Sequence, residues 1–169
     1  MAVIDGRYVS EARPVQLGIF ETGLIELIGI NEQVDENDYG AHVTADLKGS
    51  GEILAACFMS TEDGTGAVQE PAGKLMIFNA AVSVAAGDTS ITVAERSELI
   101  GMIDVSASDW QSDANGASQS ILVQPIPYDT NDLYLVWFHE DATSFNDGAG
   151  DDEQLEVNLL YRLDHREAA

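Results

Sequence analysis

The densest concentration of chemically useful side chains lies at residues 138–153, FHEDATSFNDGAGDDE. Six carboxylates and one histidine share sixteen residues with no lysine or arginine. Carboxylate oxygens around glycines suit a hard divalent cation, so Ca²⁺ is the first chemistry to consider. An EF-hand loop needs oxygen ligands at positions one, three and five, glycine at six and glutamate at twelve. With Gly148 at six, Thr143, Phe145 and Asp147 fall at one, three and five, and Gln154 at twelve. Phenylalanine and glutamine remove two ligands, and the motif fails. An irregular Ca²⁺ site from Asp141, Asp147, Asp151 and Asp152 stays open as the alternative, because flexible loops can supply the six to eight oxygens that Ca²⁺ takes. The reading adopted is a solvated hairpin loop between strands at 132–139 and 155–163.

Other chemistries fare no better. A transition-metal site needs clustered His or Cys, whereas His42, His139 and His165 are far apart and none stands in an HExxH spacing. Only folding could join His42 to His139. Gly49-Ser50-Gly51 is too short for a nucleophile elbow and reads as a turn. No GxGxxG or P-loop pattern occurs, so no nucleotide cofactor is expected. Thirty acids make chance carboxylate pairs certain, so a glycosidase would have to be signalled by several sugar-stacking aromatics. Trp110 and Trp137 are the only tryptophans. Trp137 has the alternation of a core or interface residue. Trp110 sits in the polar run Ser-Asp-Trp-Gln-Ser-Asp (108–113) and reads as a plug over one end of the fold, with contact to a partner subunit or ligand as the alternative.

The elements that must position these residues repeat with period two rather than 3.6. In Leu155-Glu-Val157-Asn-Leu159-Leu-Tyr161-Arg-Leu163 every odd position is apolar, the mark of a half-buried strand. Asp132–His139 is richer in aromatic and β-branched residues and reads as a central strand. Further strands are expected at 14–20, 24–30, 41–47, 52–59, 74–79, 89–94, 98–105 and 119–124, with 94–100 fitting either a helical turn or a strand entry. Asp113-Ala-Asn-Gly116 offers a tight hairpin turn, while Gly49–Gly51, Thr61–Gly66 and Ala85–Asp88 are further breaks. Pro125 and Pro127 should end a strand or mark a sheet edge, since neither donates a ladder hydrogen bond. The fold class is therefore all-β: a single-domain antiparallel β-sandwich, jelly-roll-like, over 14–163, with an extended N-terminal arm at 1–13 and a C-terminal tail at 164–169.

At 169 residues with 45% hydrophobic content, the chain can bury a core without staples. Its one cysteine, Cys57, forms no internal disulfide, and its apolar run Ile53–Met59 reads as a buried structural thiol. The N-terminus shows no secretory signal, and no apolar run reaches the ~20 residues of a membrane span. A soluble protein made in the cytoplasm is expected. Net charge is −23, which repels phosphate backbones and anionic lipids, so neither nucleic acid nor membrane is an expected partner. Such acidity suits strong salt, docking on a more basic partner, or both. The arm holds Arg7 and Arg13, two of the five arginines.

Three segments carry a resemblance: the arm Ile4-Asp-Gly-Arg-Tyr-Val-Ser-Glu-Ala-Arg-Pro14, the segment Ser83-Val-Ala-Ala-Gly-Asp-Thr-Ser-Ile-Thr-Val93 and the strand end Leu159-Leu-Tyr-Arg-Leu163. With them the chain resembles the decoration (cement) proteins and minor head structural proteins of tailed phages. The resemblance implies a jelly-roll-type sandwich, assembled as trimers or dimers on the capsid exterior where major capsid proteins meet. The expected function is non-enzymatic: a virion protein that clamps neighbouring capsid subunits as a homo-oligomer, trimer favoured over dimer. Arg7, Tyr8, Arg13 and Trp110 are the expected partner contacts. The alternative is a carbohydrate-binding sandwich module using Trp110 and the 140–153 loop, with or without Ca²⁺.

Overall fold

A computed structural model of the chain describes residues 2–4, 7–9, 19–28, 33–47, 49–61, 68–113, 115–145 and 154–163, with side chains from Glu21 onward. Eleven strands run in chain order: β1 (Ala2–Ile4), β2 (Arg7–Val9), β3 (Ile19–Ile28), β4 (Val43–Asp46), β5 (Ser50–Thr61), β6 (Gly73–Phe78), β7 (Leu99–Val105), β8 (Gln111–Asp113), β9 (Gly116–Asp129), β10 (Asp132–His139) and β11 (Leu155–Leu163). One helical turn, α1 (Val93–Arg96), precedes β7.

Among the described residues β1 and β2 pair only with each other. The others form a five-stranded sheet ordered β3-β11-β5-β9-β8 and a four-stranded sheet ordered β4-β10-β6-β7. Every pairing is antiparallel. Leaving aside β8, which only extends β9 at its start, the eight long strands fall in the orders 1-8-3-6 and 2-7-4-5. That is the jelly roll, in which two Greek keys wrap around one core. The fold is the all-β sandwich that the period-two pattern dictates.

The core lies between the sheets. β11 turns Leu155, Val157, Leu159 and Tyr161 inward, and β10 turns Leu133, Leu135 and Trp137 to meet them. Phe58 of β5 reaches across to Trp137, with ring centroids 6.0 Å apart. Gly73 opposes His139 and leaves room for that indole; a Cβ there would collide with the Trp137 ring and the Phe138 carbonyl.

A second, smaller core covers the outer face of the four-stranded sheet. The segment 79–92 folds over it, so that Val82, Val84 and Ile91 pack on Met76, Phe78, Val136 and Tyr39. β10 is thus buried on both faces, which is why 132–139 reads as a nearly unbroken apolar run. Gly87 (φ +79°) makes the turn in this segment, and Asp88 closes it by accepting the Ala85 N–H at 2.8 Å. The five-stranded sheet has no such cover among the described residues.

Several expectations need correction. The strands expected at 14–20 and 24–30 give way to one strand, β3, running through Gly23; residues 14–18 and 29–30 lie outside the described residues. No strand forms at 89–94. Instead Thr92 accepts the Glu95 N–H while Glu95 accepts the Thr92 N–H, a capping box that starts α1. This local pairing overrides the β-branched content of Ile91-Thr92-Val93. β9 is longer than 119–124 because its pairing with β5 slips between Ile53 and Ala55. That bulge absorbs Pro125, and beyond Ser118 β9 is the sheet edge, where Pro127 loses no ladder bond. Finally, β10 and β11 belong to different sheets. The chain between them therefore links two sheets and is not a hairpin loop.

Candidate functional site

The linking segment carries the opening cluster of acids. Its residues 146–153, including Asp147, Asp151 and Asp152, lie outside the described residues. What is described is not simply solvated: Phe145 is fully buried and bridges to Val34. Among the described residues no group of three His, Cys, Asp or Glu side chains is placed to hold a metal ion.

His139 is buried on the inner face and both ring nitrogens are engaged. Nδ1 accepts from Trp137 Nε1 at 3.5 Å, and Nε2 lies 2.8 Å from the Thr143 carbonyl. An N–H facing Nδ1 and a carbonyl facing Nε2 require the neutral tautomer with its proton on Nε2. The ring is a structural bridge, with no lone pair left for a metal or a substrate. His42 is exposed on the opposite side of β10: its Nδ1 donates to the Val84 carbonyl at 2.9 Å and its ring lies 6.3 Å from Tyr134. The fold does not join the two histidines, and His165 lies outside the described residues.

A small cavity of about 190 Å³ next to His139 is lined by Gln69, Glu70, Pro71, Asp141 and Thr143. Below it, Trp110 is only 6% exposed, belongs to the main core and donates from Nε1 to the Pro71 carbonyl at 3.2 Å. Its ring is enclosed by its own chain. Nearby, hydrogen bonds from Ser144 and Gln33 hold the Asp35 carboxyl below its ordinary value.

The outer face of the five-stranded sheet has a different character. Cys57 is half-buried there, not enclosed as its apolar neighbourhood suggested. The β5 register shift places Ala55, Cys57 and Met59 outward while Ala56, Phe58 and Ser60 face in. Across the strands, Thr22, Leu160, Ala55 and Leu122 form one row, and Leu24, Asn158, Cys57 and Ser120 the next. Neither row holds a charge. Leu122 is 90% exposed and Leu24 60%. Asn158 Oδ1 is enclosed among them with no hydrogen-bond partner. Charge appears only at the two ends. One end holds the ion pair Arg162–Glu52; the other holds Glu26 and Glu156, set directly opposite each other.

Of the expected arm contacts, Arg7 and Tyr8 lie on β2, opposite Ile4 and Val3 in the ribbon. Arg13 lies outside the described residues. The uncharged face was not foreseen, although odd–even alternation in 155–163 had put Asn158 and Leu160 on it.

No protein-family model matches the sequence, and no curated protein matches it.

Proposed function

We propose that this chain is a non-enzymatic structural protein that binds the outside of a phage capsid and stabilises it by clamping neighbouring major capsid subunits. One observation carries the reading. In a chain of net charge −23, residues 79–92 cover the outer face of one sheet except near Met102 at its edge, while among the described residues nothing covers the uncharged rows of the other, from which Leu122 and Leu24 project. Exposed apolar surface in so acidic a protein is unfavourable unless something covers it. A jelly roll is compatible with this role, though the same fold hosts lectins and enzymes and does not itself choose.

The mechanism is mass action: a ligand that binds only the assembled shell stabilises that shell. The arm, with Arg7, Tyr8 and Arg13, reaches a neighbouring acidic subunit, and the assembly is a homo-oligomer, trimer favoured. The carbohydrate-binding alternative is weakened by the burial of Trp110, the aromatic ring a glycan would have stacked on.

The test is co-sedimentation of the purified chain with capsids from the same source, followed by thermal disruption of the particles. Binding with a higher disruption temperature is expected. Capsids that leave the chain in the supernatant overturn the reading.

A further inference from the structure

We propose that the outer face of the five-stranded sheet docks a partner protein whose surface is apolar at its centre and carries a lysine or arginine that enters between Glu26 and Glu156. The inference rests on the reading above for its partner, a shell subunit, but its surface and chemistry are argued from the face itself.

The apolar half of the argument is the two uncharged rows centred on Leu160, Cys57 and Leu122. The charged half is the carboxylate pair. Like charges directly opposite each other on one sheet face repel, and among the described residues neither acid has a cationic partner. Glu26 receives only the neutral amide of Gln154, at 3.1 Å. Asp46 and Asp132 repeat the arrangement on the other sheet, but both are exposed and lie at strand ends, where water screens them. Glu26 is exposed too, but Glu156 opposite it is half-buried and its row continues into Met59, so a cation docking there meets a site shielded on the Glu156 side.

A second copy of the chain is a poor occupant. It would bring another −23, and the lysine and arginine of its described strands from β3 onward, Lys74 and Arg162, are already ion-paired. Four strands about 4.8 Å apart and some six residues long present roughly 400 Å². Doubled, that is about the size of a non-specific lattice contact, well short of the ~1,600 Å² typical of specific complexes. A partner of opposite charge gains the attraction that a self-contact lacks, and the arm adds area elsewhere.

The experiment places a photo-cross-linking residue at Leu122 and, separately, at Val93, which is 86% exposed on α1 beside the sealed sheet. Each variant is incubated with an extract of the source cells, and cross-linked peptides are identified in the sedimented particles and the supernatant. The proposal expects cross-links from Leu122 to a peptide of another protein containing lysine or arginine, and none from Val93. The double variant Glu26→Gln, Glu156→Gln should cut the yield by about tenfold while melting no lower than the parent. Cross-links from Leu122 to a soluble protein support the face and overturn the capsid reading. Particle cross-links from Val93 alone overturn the face and leave the capsid reading standing. Cross-linking only to a second copy, a yield insensitive to the double variant, or no cross-link at Leu122 overturns the proposal.

Discussion

Replacing Glu156 with glutamine should make the free protein more stable, although the change removes a native charge at the surface. Residues directly opposite each other on antiparallel strands have Cβ atoms ~5 Å apart, so the Glu26 and Glu156 carboxylates lie about 6 Å from each other. At that distance two unit charges in water repel by about 0.7 kcal/mol, within the ~0.2–1 kcal/mol range for cross-strand pairs. In a domain of this size each kcal/mol moves the midpoint by roughly 2–4 °C, giving a gain of about 1–3 °C for Glu156→Gln. Neutralising any acid relieves a chain at −23, so Glu98→Gln is the control: Glu98 is exposed and has no acid set opposite it in a strand pair. Thermal unfolding followed by circular dichroism should show Glu156→Gln melting above Glu98→Gln in 20 mM salt. In 1 M salt, where the screening length is ~3 Å, the two should coincide. Equal midpoints at low salt, or a gap that persists in 1 M salt, would refute the repulsion on which the docking chemistry depends.

Four further outcomes follow from the packing and the titrating groups. Trp110→Ala should cost about 3–5 kcal/mol, the usual range for a buried tryptophan, lowering the melting midpoint by roughly 6–20 °C; a fall under ~2 °C in a thermal melt contradicts the core assignment. His139→Leu leaves the Trp137 N–H and the Thr143 carbonyl without partners, at about 1–3 kcal/mol each, and urea unfolding with an unchanged midpoint would refute the bridge. Burial, then the hydrogen bond to Glu21, pushes the Tyr161 phenol above its ordinary 10.0. The unfolded chain then releases that proton first, so this contribution is whole below pH 10 and is lost as pH rises further; Tyr161→Phe should flatten that alkaline limb. At the acid end, Thr92 and Ser83 hold Glu95 below its ordinary 4.5. Its contribution is present above that value and fades as pH falls through the lowered one, a limb that Glu95→Gln should shorten.

Much of the fold was legible because burial imposes a period. β11 matches its expected bounds since one face packs on the core and the other faces out, and β10 matches because two cores bury it. What could not be read was which strands pair. Alternation says that 132–139 and 155–163 are strands, but the hairpin reading assumed that neighbours in sequence are neighbours in a sheet. In a jelly roll, successive strands mostly cross between sheets, a long-range choice that no local pattern records. The helical turn at 93–96 was half legible: 94–100 offered a helical turn beside a strand entry, and the capping-box spacing of Thr92 and Glu95 decides for the turn against the strand expected at 89–94. Asp5-Gly6, between β1 and β2, is likewise a hairpin signal that reading the arm as extended passed over.

The candidate surface was harder to see. The uniformly apolar run Ile53–Met59 points to a core thiol at Cys57, and only the register shift between β5 and β11 decides which of those residues face out. Trp110 went the other way. Its polar neighbours suggested first a plug over one end of the fold and only second a contact residue, and the plug reading fits: the Pro71 carbonyl satisfies its indole and the core takes its ring.

The central claim, that the open sheet face is covered when the protein does its work, can be measured at the chain's one thiol. Cys57 is half-buried in the middle of that face, between Asn158 and Ser120. Its alkylation by iodoacetamide should be timed by mass spectrometry on the purified chain and again on chain bound to sedimented particles. Covering the face predicts that bound chain is alkylated at least about tenfold more slowly, since docked interface cores exclude water. Equal rates in the free and bound states would contradict it.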